Sequence, residues 1–142
     1  MRIPLWLSAL AISSALLVGC ARTDAPPSVP TVPSARIVEF PAAGAAGDPR
    51  EVHVLVDEPS LKLVTILLRE GTVLPEHRSE VPVTIVALRG SGTVLAGTER
   101  LRLDATHAVA LAPNVPHSVE PEGKTELLLL VHHLGHGKET HP

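Results

Sequence analysis

From Arg36 onward, no stretch of this chain repeats its apolar residues at the three-to-four spacing of a helix. Short apolar runs alternate instead with clusters of Gly, Pro, Asn, Asp and Ser. Such a pattern confines the chain to sheet architectures, because only a strand can bury a run that short. Val52, Val54 and Val56 alternate with His53 and Leu55, and Asp57-Glu58-Pro59-Ser60 then makes a turn. Leu61 to Leu68 is apolar on both faces apart from Lys62 and Thr65, the pattern of a strand covered on two sides, and Val83 to Leu88 is another such run. Gly90-Ser91-Gly92 and Gly97-Thr98 separate Val83 to Arg89, Thr93 to Ala96 and Glu99 to Leu103 at hairpin spacing, and Leu101 and Leu103 alternate with Arg100 and Arg102. Ala108 to Leu111, His117 to Glu120 and Thr125 to Leu134 complete about nine strands. The expected class is all-β, a sandwich or barrel.

A chain of 142 residues has room for one such domain, and its 44% hydrophobic and 19% charged residues are ordinary for a packed core. Aromatic residues are the exception: Trp6 and Phe40 are the only two, which removes any platform for stacking bases or sugars. The formal charge of −3, which becomes −4 without Arg2, contains no basic run. Nucleic acid is therefore not an expected partner.

The first residues carry a separate signal. Arg2 precedes a mostly apolar run from Ile3 to Val18, broken by Pro4, Ser8, Ser13 and Ser14. As a helix it would span roughly 24 Å, short of the ~30 Å hydrocarbon layer, so it reads as the apolar region of an export signal over residues 1–19. Its end, Leu17-Val18-Gly19-Cys20, resembles the bacterial lipobox. That resemblance implies cleavage before Cys20, acylation of Cys20, and anchorage of the protein to a lipid bilayer by two or three chains. Cys20 is the only cysteine, so no disulfide framework exists. Residues 20–35, with Pro26, Pro27, Pro30 and Pro33, read as an extended tether. Ala21 after the lipidated position suggests, by resemblance to Gram-negative sorting rules, the periplasmic side of the outer membrane. The folded domain is expected over 36–134, followed by a histidine-containing tail over 135–142.

Two further segments resemble the cupin motifs. Gly71-Thr72-Val73-Leu74-Pro75-Glu76-His77-Arg78-Ser79, continuing through Val83 to Gly90, is similar to the first, G-x5-H-x-H-x3-E-x6-G. Ala112-Pro113-Asn114-Val115-Pro116-His117-Ser118 is similar to the second, G-x5-P-x-G-x2-H. The resemblance covers roughly residues 50 to 134 and implies a small jelly-roll barrel, a double-stranded β-helix, with a pocket at one open end.

The family's metal ligands carry over only in part. His77 falls at the first histidine position and His117 at that of the second motif. The other two positions are Ser79 and Val83, an alcohol and an aliphatic, while Ala112 and Asn114 stand at the second motif's Pro and Gly positions. Two imidazoles alone hold a divalent iron, manganese, nickel or zinc weakly, since a catalytic site wants three protein ligands and an open position. Glu76 and Glu80 alternate away from the ligand face, and His107 is expected outside the pocket. His132 and His133 are adjacent on the last strand, so at most one of them looks inward as a third donor.

Other readings compete. His77 and His117 also suit a metal-free pocket as hydrogen-bonded polar groups beside Ser79 and Val83. Ser79 and His77 lack an orienting carboxylate and make a poor nucleophile and base. His132, His133, His136 and His141 crowd the last residues, but their spacing fits no closed metal site, and Gly135 to Pro142 reads as a solvated tail. Arg78, Arg89, Arg100 and Arg102 read as solvated faces. The leading expectation is a membrane-tethered module that binds a small apolar or weakly polar ligand without turnover. Its alternative is a metal-dependent oxygenase or isomerase using His77, His117 and a third donor. By resemblance, a homodimer paired through a strand edge is also expected.

Overall fold

The computed structural model describes residues 34–135 and the backbone of Glu139 and Thr140. The expected signal segment, Cys20, most of the tether, His136 and His141 lie outside the described residues. A compact unit begins at Arg36.

Ten strands form two antiparallel sheets. They are β1 (Arg50–Glu58), β2 (Leu61–Leu68), β3 (Leu74–Ser79), β4 (Val83–Arg89), β5 (Gly92–Ala96), β6 (Glu99–Leu103), β7 (Val109–Leu111), β8 (His117–Pro121), β9 (Leu127–His133) and β10 (Glu139–Thr140). One sheet runs β1-β2-β9-β4-β7 and the other β10-β3-β8-β5-β6. This is the all-β, two-sheet architecture expected from the strand pattern. Alternate residues of each strand meet between the sheets: Val64, Ile66, Leu68, Leu127, Leu129 and Val131 from one, and Leu74, Val94, Leu103 and Val119 from the other.

β2 is apolar on both faces because both are covered. Leu67 and Thr65, on its outer face, are completely buried, as is Leu128, the register partner of Leu67 on β9. Segment 36–48 is held to that face by two arginines. Arg69 donates to the carbonyls of Ala45 (3.0 Å) and Asp48 (2.5 Å) and to Glu51 Oε1 (2.8 Å). Arg89 donates to Pro41 O (3.1 Å) and to Glu126 (2.7 Å). Arg89 is thus a clamp rather than a solvated charge, because its register partner Leu128 places it on the same outer face.

Two further expectations are corrected. Val83 to Arg89 and Thr93 to Ala96 are not a hairpin: β4 pairs with β7 and β9, β5 with β6 and β8. Gly90, at φ 78°, turns the chain from one sheet into the other, so spacing alone mimicked a hairpin where the chain changes layer. Of these three segments, only β5 and β6 form a hairpin, turning at Gly97. The last residues are also not wholly a solvated tail, since Glu139 pairs with Ser79 and Thr140 with Arg78 at the edge of β3. The open N–H and C=O groups of that edge take up the returning chain.

Candidate functional site

The histidines at the two motif positions meet because β3 and β8 are neighbours. His77 and His117, 40 positions apart in the sequence, are direct cross-strand partners. An irregularity between Leu74 and His77 adds a residue to β3, which lets both of these face inward although they are three apart. It also leaves Glu76 exposed, as expected. The turn before β8 is anchored by Asn114, whose N–H donates to Ser79 O at 2.6 Å and whose φ is 62°. Asparagine at this motif glycine position works because its short polar side chain tolerates left-handed backbone. Gly71 opens β3 at φ 77°, and a Cβ there would lie 2.7 Å from Gly123 O.

The two rings lie with centroids 4.3 Å apart, tilted by 54°. They are 8% and 3% exposed. His77 Nδ1 donates to Pro75 O (2.8 Å) and His117 Nδ1 to Val115 O (2.9 Å). A carbonyl can only accept, so each Nδ1 carries a proton and each Nε2 is turned away from that backbone contact. His133 joins them: it is 3% exposed and lines the same cavity, while His132 falls on the other face of β9. Ser79 and Val83 complete the wall. Ser79 Oγ accepts a hydrogen bond from Val81 N at 3.3 Å, so its hydroxyl serves the local turn.

The space enclosed by these groups is about 10 Å³, room for a single water. Ile66, Ile85, Leu129 and Val131 fill the remainder of this interior. The interior between His77 and His117 is thus no larger than a water. Larger space lies alongside it, in a cleft of about 140 Å³ between β1, β2 and β3, whose inner wall includes Leu74 and His77.

The donor set does not fit a firmly held catalytic metal. The imidazoles resemble metal-ligating histidines in that each Nδ1 is anchored on a backbone carbonyl. However, two of the positions around them are an engaged alcohol and a valine, and no group of three or more His, Cys, Asp or Glu among the described residues is arranged to hold an ion.

A second histidine and carboxylate cluster lies at the turn between β6 and β7. His107 Nδ1 donates to Asp104 Oδ1 at 2.8 Å, as do the Thr106 N–H and hydroxyl, and Arg102 adds a further bond. These donors, His107 foremost, hold the Asp104 carboxyl well below the usual carboxylate range. His107 is exposed and remote from the cavity, as expected, and the cluster closes a turn.

Sequence reasoning passed over Arg50, Val52, Val54 and Lys62, which line the cleft. The alternation of β1 was legible, but not that its inward side looks onto open space.

No protein-family model and no curated protein matches this chain. Solved structures do. An RmlC-like cupin family protein with a double-stranded β-helix fold from Methanocaldococcus jannaschii is 21% identical, with 74% of this chain and 94% of that one covered at a TM-score of 0.62. A cupin superfamily protein from Desulfitobacterium hafniense is 14% identical over 72% of this chain and 100% of that one, TM-score 0.59. The DMSP lyase DddQ from Ruegeria pomeroyi is 21% identical over 62% of this chain and 48% of that one, TM-score 0.57. This likeness shows the fold: the chain has the double-stranded β-helix architecture of these cupin structures.

Proposed function

We propose that this cupin-fold chain is a small-molecule binding module, carried on the bacterial cell envelope by an acylated Cys20, that holds its ligand without turning it over. The observation that carries the reading is the placement of His77. Its ring stands between a paired imidazole on the inside and a cleft of about 140 Å³ on the outside, while the flanking ligand positions are Ser79 and Val83. A cavity of that order accommodates a molecule about the size of benzene. The valines supply apolar area and His77 a polar group to orient the guest.

Catalysis by a bound metal would need a third donor; neither Ser79 nor Val83 provides one, and His133, although it lines the same cavity, is not grouped with His77 and His117 in an arrangement that holds an ion. Metal analysis of the full chain, purified in detergent from cells supplied with iron, manganese, nickel and zinc, tests this. Well under one equivalent is expected after dialysis against a chelator. One equivalent retained by the native chain and lost in a His77→Ala, His117→Ala double variant would replace binding with a metal-dependent oxygenase or isomerase. Incorporation of labelled palmitate, abolished by Cys20→Ser, tests the anchor, and a chain that takes up no label would remove it.

A further inference from the structure

The cleft beside His77 has an uncommon charge balance. On β1, Arg50, Val52 and Val54 are register partners of Leu68, Ile66 and Val64, whose side chains belong to the core. All three therefore face inward, yet Val52 and Val54 remain 55% and 53% exposed, because β1 is the edge of its sheet. Half-exposed valines on an inward face contribute little to stability, and an apolar strip of this kind is a place for something to lie. Arg50 ends the strip on one side. Lys62, on the same face of β2 as Val64 and Ile66, ends it on the other.

Elsewhere five described arginines are paired with carboxylates: Arg36 with Glu58, Arg69 with Glu51, Arg89 with Glu126, Arg100 with Glu120 and Arg102 with Asp104. Arg50 and Lys62 have no such carboxylate among the described residues. Glu51 sits on the opposite side of β1 and is taken by Arg69. Asp57 is the register partner of Lys62 but follows the irregularity between Val54 and Val56 and does not line the cleft. Two cations thus flank an apolar strip with no anion supplied by its walls.

We infer that this cleft binds a short aliphatic dicarboxylate, one carboxylate at Arg50, the other at Lys62, and the methylenes against Val52, Val54 and Ile66. This rests on the small-molecule reading above and adds the ligand's charge and shape. Arg50 lies opposite Leu68, six residues along β2 from Lys62, which separates the two backbones by roughly 20 Å. Each side chain reaches about 6 Å at ~1.5 Å per bond, so the charges range from roughly 8 Å apart when both lean inward to about 20 Å when both stand upright. Within that range an extended chain of four to six carbons with a carboxylate at each end reaches both. Its two to four methylenes fit the cleft while the carboxylates remain at the rim, where little desolvation opposes binding.

The test is a titration of the isotope-labelled full chain in detergent, followed by amide resonances, at constant ionic strength. Glutarate is the probe, with glutaramide as its uncharged analogue and butyrate as its one-ended analogue. Glutarate is expected to move the amides of Val52, Val54 and Ile66 and to bind at least tenfold more tightly than either analogue. Arg50→Gln and Lys62→Gln should each weaken it about fivefold or more, and the double variant should reduce it to the level of glutaramide. Glutaramide binding as tightly as glutarate would overturn the dicarboxylate and leave the small-molecule cleft standing. Butyrate matching glutarate would overturn the two-ended contact. No response at the cleft to any of the three would overturn both this inference and the reading on which it rests.

Discussion

The two ends of the barrel are built from the same strands and finished differently. At one end Leu68, Val94, Leu103, Val119 and Leu127 are completely buried, and the interior is solid hydrocarbon. At the other, His77, Ser79, His117 and His133 replace hydrocarbon around a water-sized void, beside a cleft whose valines are half exposed. Stability is invested at the first end and recognition at the second. His77, His117 and Ser79 are tolerated there because Pro75 O, Val115 O and Val81 N bond them locally.

That contrast can be broken by substitution. Leu127→Ala at the hydrocarbon end should cost about 2–5 kcal/mol in chemical denaturation, through lost burial and the cavity it leaves. Ligand response at the cleft of the still-folded variant should be unaltered. His117→Leu at the other end should cost less, about 1–3 kcal/mol, because the volume is refilled and the penalty falls on Val115 O, which loses its donor. If it proves the costlier of the two, the division of labour fails.

The smallest effect is expected at the rim of the hydrocarbon end, at Asp104. Its carboxyl titrates below the ordinary range because of His107, Thr106 and Arg102. A carboxylate depressed by folding contributes stability above its unfolded value, about 3.9, and loses that contribution as pH falls through the folded value. Asp104→Asn should therefore be less stable than the native chain at neutral pH, by less than either interior variant. The difference should shrink when denaturation is repeated below about pH 4. A gap that widens in acid would contradict the assignment.

Most of the architecture was legible because it rests on period and punctuation. The alternation of His132 and His133 forced one ring inward, and β9 places His133 there. His77 and His117 were legible as a pair through their motif spacing. What escaped depends on neighbours remote in sequence. Gly90 reads as a hairpin turn until β9 and β7 are known to flank β4. Arg89 reads as a surface charge until Pro41, 48 residues away, is found against it. The cleft escaped for the same reason: whether an inward valine is roofed depends on the order of strands at the sheet's edge, which local pattern does not encode.

The position of β9 between β2 and β4 has a kinetic consequence. Leu68 waits for Leu127 and Lys62 for His133, so the middle of that sheet is missing until a late segment has been made. Pairings this distant in sequence put the chain among slow folders, on the millisecond-to-second scale. While it is being synthesised, the protein holds β2 and β4 apart, each with one edge open until the strand that joins them emerges.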